Sequence, residues 1–211
     1  MEYLQQRGVA LNGPIRWDQH TALHFAALAG HAEAVVWLVE RGVDAFWVNR
    51  QGESPLLWTA AAGHAPVVRE LIVRGMSPNQ GGSGDRAPLI YAVDRGYEEI
   101  VAELMKSPDM RLDPVDRFGG DPQMTPLSLA VVHGRVGIFQ LLARNSLYTI
   151  PEGIFRHALA GDNVSIVREI LENISVAFVW YAGRETETAI IYVVKNGSEE
   201  MLRYLLTGVW M

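Results

Sequence analysis

The sequence predicts an all-α solenoid of helix–turn–helix units joined by short hairpin-like fingers, and three observations carry that expectation. First, His24-Phe25-Ala26-Ala27-Leu28-Ala29-Gly30-His31 aligns with Leu57-Trp58-Thr59-Ala60-Ala61-Ala62-Gly63-His64 at an offset of 33; Gly96 lies another 33 on, and Gly134 and Gly197 continue the series. Second, Gly8, Gly42 and Gly75 form a parallel series spaced by 34 and 33. Third, an apolar column pattern recurs at the same interval: Ala34, Val35, Leu38 and Val39, then Val67, Val68, Leu71 and Ile72, then Ile100, Val101, Leu104 and Met105. Spacings of one, three and four residues place each set on one helical face. Units of this period cannot bury an apolar face alone and stack on their neighbours.

Each element has a local reason. Thr21, Ser54, Thr125 and Thr188 stand where a first helix needs an N-cap, and Pro55, Pro88 and Pro126 follow where the first turn has no partner for an N–H. The glycines near 30, 63, 96, 134 and 197 supply the positive φ of a tight turn. A second helix follows, such as Ala32 to Arg41, stopped by Gly42. Connectors such as Val48-Asn49-Arg50-Gln51-Gly52-Glu53 are polar fingers. One further unit fits around Phe155 to Leu171, with Asp162 in the glycine slot when Ile166, Val167, Ile170 and Leu171 are matched to the other columns. The resulting division is a single array: a half-unit at 1–16 and units at about 17–49, 50–82, 83–120, 121–148, 149–182 and 183–211.

Composition narrows the function classes. The chain is 49% apolar and 20% charged, which is that of a folding sequence. A net charge of −6 argues against a nucleic-acid partner. With no cysteine, disulfides, thiolate metal sites and thiol nucleophiles are excluded. No apolar run is long enough for a membrane span, and Met1 to Arg7 has the features of no signal peptide, so an intracellular protein, cytoplasmic or nuclear, is expected.

Thr21-Ala22-Leu23-His24-Phe25-Ala26-Ala27, Gly30-His31-Ala32-Glu33 and Arg41-Gly42-Val43-Asp44 resemble the signature stretches of the ankyrin repeat. Ser54-Pro55-Leu56, Ala87-Pro88-Leu89 and Thr125-Pro126-Leu127-Ser128-Leu129-Ala130 repeat the first of them. The longer unit, from Ser107-Pro108-Asp109-Met110 through Asp116-Arg117-Phe118-Gly119 to Thr125, resembles ankyrin arrays of filamentous fungi. The resemblance implies binding of a partner protein through a concave face of first helices and fingers. It also makes His24, His31 and His64 turn-holding signature residues.

The first helices carry two columns. Residues seven and four before the turn glycine are core: Leu23 and Ala26, Leu56 and Thr59, Leu89 and Ala92, Leu127 and Ala130, Phe155 and Ala158, Ile190 and Val193. The column five before reads Phe25, Trp58, Tyr91, Leu129, His157 and Tyr192, and lies on a different face. Such aromatics are either fillers between adjacent helices or anchors of an interface. The expected partner-binding set is Phe25, Arg50, Trp58, Tyr91, Asp94, Arg95, His133 and His157. The alternative is a small-molecule-binding or catalytic groove lined by Trp58, Tyr91, Asp94, Arg95, His133 and His157; a structural spacer is the third reading.

No catalytic residue, metal ligand set or cofactor is expected. There is no nucleophile elbow, phosphate loop or His-Glu-x-x-His. His20 and His24 have a zinc-compatible spacing, but His20 precedes the cap and a third ligand is missing nearby. Gln80-Gly81-Gly82-Ser83-Gly84-Asp85 reads as a flexible finger. Asn163-Val164-Ser165, Asn173-Ile174-Ser175 and Asn196-Gly197-Ser198 are sequons by chance in a chain without a secretory signal. Val176-Ala177-Phe178-Val179-Trp180-Tyr181 is apolar where other connectors are polar. Phe178, Trp180 and Tyr181 either cover the last unit or dock a partner or a second copy. The chain begins and ends inside a unit, at Gly8 and Leu205-Leu206-Thr207-Gly208, so it is either a piece of a larger array or one capped by half-repeats.

Overall fold

The computed structural model describes residues 11, 13–14, 18–82, 87–111, 125–145, 153–173, 190–191, 193–195 and 198–208. Eleven helices have both ends among these residues, residues 190–191 and 193–195 being helical as well, and they divide between two compact units, Met1–Pro126 and Leu127–Met211.

The first unit holds α1 (Ala22–Leu28), α2 (Ala32–Glu40), α3 (Pro55–Ala62), α4 (Ala65–Val73), α5 (Pro88–Arg95) and α6 (Glu98–Leu104). Consecutive helices pair as α1 with α2, α3 with α4, and α5 with α6, while first helices stack in the order α1, α3, α5 and second helices in the order α2, α4, α6. The boundaries follow local chemistry. The Ser54 hydroxyl accepts the Leu57 N–H at 3.2 Å, and Pro55 and Pro88 occupy the first helical positions. Gly63 and Gly96 end α3 and α5 with φ of 92° and 76°, a region costly for residues with a β-carbon.

The columns read from the sequence form the core. Leu23, Val35, Leu56, Val67, Val68, Leu71, Leu89, Ile100, Val101 and Leu104 are buried. Full burial of each such side chain contributes about 1.5–3 kcal/mol before entropy is set against it. The last residue of each second-helix column, Val39, Ile72 and Met105, is only half-buried.

The second unit contains nearly all of α7 (Pro126–Val132), with α8 (Val136–Asn145), α9 (Gly153–Ala160), α10 (Val164–Asn173) and α11 (Glu199–Gly208). Here α10 packs on α8, α9 and α11. Phe139 and Phe155 are its largest buried side chains, joined by Ile138, Ile154, Ile166, Val167 and Ile170. Leu127, expected in the core column, is half-buried, while its partner Ala130 is fully buried. Asp162 takes the turn conformation of the glycine slot, with φ of 54°.

Candidate interaction face

Fingers and first helices of the first unit bring polar and aromatic groups together around Trp58. The finger after α2 folds on itself: the Asn49 N–H donates to the Glu53 carbonyl at 3.0 Å, and the Gly52 N–H to the Asn49 carbonyl at 3.0 Å. It reaches the preceding finger through the Arg50 N–H, which donates to the Asp18 carbonyl at 3.1 Å, and through the Trp47 indole, which donates to the Gln19 carbonyl at 3.1 Å. Gln19 and Gly52 occupy equivalent tips 33 residues apart, with φ of 65° and 73°.

The rings of this region pack together, Trp58 edge to face with Phe25 and His24 and tilted at 57° to His20. Trp58 lies 6.0 Å from Phe25 at an interplanar angle of 86°, 4.6 Å from His20 and 5.4 Å from His24. His20 stands 5.8 Å from Phe25 at 83°. Perpendicular contacts of this kind favour a fixed arrangement of aromatic rings. Phe25 remains 39% exposed and Leu28, one turn on, 45%, so the α1 part of this face is open and apolar. Trp58 is half-buried, and its indole N–H donates to Glu53 Oε2 at 2.8 Å.

His24 has a structural role. Its Nδ1 accepts from the Thr21 N–H at 3.3 Å and lies 2.9 Å from the Thr21 hydroxyl, which leaves Nε2–H to donate to the Glu53 carbonyl at 3.1 Å. Burial pushes its pKa below the ordinary 6.5, against the opposing pull of the Glu53 carbonyl. His64 likewise donates from Nε2 to the Leu28 carbonyl at 3.0 Å.

The remaining residues of the expected binding set divide between the two units. In the first, Tyr91 and Asp94 are half-buried, and Arg50 and Arg95 are exposed. In the second, His133 is exposed and His157 half-buried. The five-before column is not uniformly open: Leu129 is buried, as a filler between helices would be. Tyr192, Phe178, Trp180, Tyr181, Thr188 and residues 83–86 of the glycine-rich finger lie outside the described residues.

In the sequence His20 stands out only for its zinc-compatible spacing to His24, and Asn49 and Glu53 only as members of a polar finger. Asn49 is buried and bonds to both His20 and Glu53. Among the described residues no group of three or more His, Cys, Asp or Glu side chains is placed to hold a metal ion. Among them, too, no helix is long and apolar enough to cross a membrane. The Asn163 side chain, within a sequon, donates to the Val131 carbonyl at 2.9 Å and so serves the fold.

Residues 23–116 match the family model described as ankyrin repeats (3 copies). No curated protein matches the chain. The matched segment covers α1 to α6, so the stacked pairs of the first unit are ankyrin repeats, and the fold class is all-α. Ankyrin repeats are generally protein–protein interaction modules and typically non-enzymatic.

Proposed function

We propose that this ankyrin-repeat protein is a non-catalytic binding module, intracellular, that holds a partner protein on the first-helix face and fingers of its repeats. The observation that carries the reading is the open aromatic face of α1 and α3. Phe25 is 39% exposed beside a Trp58 whose ring packs against Phe25, His20 and His24 and whose N–H is bonded. A large ring fixed before contact loses little freedom on binding, which is what interface anchors require. Tyr91, Asp94, Arg50 and Arg95 are the further candidate contacts of the first unit, and His133 and His157 are candidates in the second.

The test is affinity capture of a partner with the intact chain, followed by titration with variants. Phe25→Ala, Trp58→Ala and Tyr91→Ala should each weaken binding by about 1–4 kcal/mol, as central anchors do. Glu70→Ala, on the second-helix side and paired with Arg74, should change little. A partner whose affinity ignores Trp58, Tyr91 and Arg95 alike overturns the reading.

A further inference from the structure

A continuous chain of side-chain hydrogen bonds leads from Asp18 to Trp58, and its directions are fixed by chemistry. The Asn49 carbonyl oxygen accepts the backbone N–H groups of Gln51 and Glu53, both at 2.9 Å, so its amide nitrogen must face the other way. That nitrogen donates one hydrogen to Glu53 Oε2 at 2.8 Å and lies 2.9 Å from His20 Nε2. An amide nitrogen can only donate, so His20 Nε2 is the bare nitrogen of the ring. The proton therefore sits on Nδ1 and is donated to Asp18 Oδ2 at 2.9 Å. At the far end Glu53 Oε2 also accepts the Trp58 indole N–H at 2.8 Å. His20 and Glu53 occupy equivalent positions 33 residues apart, each directly before a cap, as Phe25 and Trp58 do within their helices. The chain thus couples matching points of two successive repeats.

We infer that Glu53, Asn49 and His20 are positioning residues for Trp58, and that the placement of its indole follows the proton state of His20. The use of this coupling in binding rests on the function proposed above; the coupling itself does not. A second proton on His20 turns Nε2 into a donor facing a donor. The groups around the ring are the Asp18 carboxylate at Nδ1, the His24 imidazole at 5.9 Å, the rings of Phe25 and Trp58, and, beyond Asn49, the Glu53 carboxylate. His24 already donates its one proton to a carbonyl and brings no charge. The acceptor left for a cationic His20 is the Glu53 carboxylate, and drawing it toward Nε2 takes it from the Trp58 N–H. An indole freed at that end keeps its ring contacts but loses its fixed tilt.

The experiment is proton–nitrogen correlation spectroscopy of the full chain, with the Trp58 indole resonance assigned through Trp58→Phe, followed from about pH 8 to about pH 5 alongside the imidazole signals of His20. The Trp58 resonance should shift with the midpoint of His20. In His20→Gln, whose amide oxygen still accepts from Asn49 but takes up no proton, that shift should vanish. A Trp58 resonance that stays still while His20 titrates overturns the inference, as does a shift that persists in His20→Gln. Because the readout uses the free chain, a partner indifferent to Trp58 would strike down the binding reading alone.

Discussion

The imidazole of His64 lies across Gly30 so closely that a β-carbon at Gly30 would stand 2.5 Å from Nδ1, while Nε2 of the same ring donates to the Leu28 carbonyl at 3.0 Å. The turn of one repeat is therefore covered by the residue that follows the turn of the next. Tyr97 repeats the arrangement over Gly63, where an added β-carbon would meet its ring at 2.9 Å. In the second unit the Asn163 side chain stands 2.8 Å from the β-carbon position of Gly134 and bonds to the Val131 carbonyl. Three different side chains thus hold the preceding turn by contact, two of them with a hydrogen bond to a carbonyl just before it.

Gly30→Ala and Gly42→Ala separate the two parts of this design. Both positions have positive φ, 72° and 79°, so both variants carry a backbone cost of about 1–2 kcal/mol. Only Gly30 has His64 above it; nothing lies within 4 Å of a β-carbon at Gly42. Chemical denaturation should show Gly30→Ala to be the more destabilised, by about 0.5–1.5 kcal/mol for the strained hydrogen bond. Equal losses would mean that the His64 contact contributes nothing.

Gln19→Gly should stabilise the chain. Gln19 holds φ of 65° with an exposed side chain, and its known service to the fold is the carbonyl that accepts from Trp47. Glycine keeps that carbonyl and removes the steric cost, against its larger entropy when unfolded, for a net gain of about 0.5–1 kcal/mol. Thermal melting of the two proteins decides the sign.

Leu89→Ala should cost about 2–5 kcal/mol, because Leu89 is fully buried where α5 stacks on α3. Val73→Ala, at the exposed end of α4 with 77% exposure, should stay within about 0.5 kcal/mol of the parent. Comparable melting temperatures for the two variants would contradict the repeat core.

Stability should fall in acid through Glu103. Arg69 donates to its Oε1 from Nη2 at 2.7 Å and from Nε at 2.9 Å, and Lys106 donates to Oε2 at 2.9 Å. The hydrogen bonds from Arg69 hold the carboxyl below its ordinary 4.5, and they outweigh burial, which pushes it up. The folded pKa is the depressed one, so this stabilisation is complete above 4.5 and is lost as pH falls through the folded value. Urea titrations of the parent and Glu103→Gln at about pH 7 and about pH 3 should show a smaller acid-induced loss in the variant. An identical loss in both would assign the acid sensitivity elsewhere.

The repeats were legible because their cause is local and recurs. A turn with positive φ selects glycine, and a stacked helix selects apolar residues at fixed intervals. That columnar rule was enough to put Asp162, rather than Gly161, in a glycine slot, where its φ is 54°. Bonds between fingers leave no such trace. Asn49 reaches His20 across 29 residues and Glu53 across four, and neither spacing recurs in the chain's period. The exposure of a column was equally hard to foresee. Phe25 and Leu129 share one helical position, yet the first is open and the second buried, because neighbouring helices rather than position decide it.

The cover of each turn by the following repeat gives the chain a direction in time. A ribosome delivers the amino terminus first, and the Gly30 turn waits for His64, which leaves the ribosome 34 residues later. At about 5–20 residues per second that delay is about 2–7 s, and the Gly63 turn then waits as long for Tyr97. At the Gly30 and Gly63 turns the newest repeat is thus the unfinished one, completed by its successor. Nascent chains stalled just before and just after His64 emerges should differ in protease resistance at the Gly30 turn, well before the rest of the array has been made.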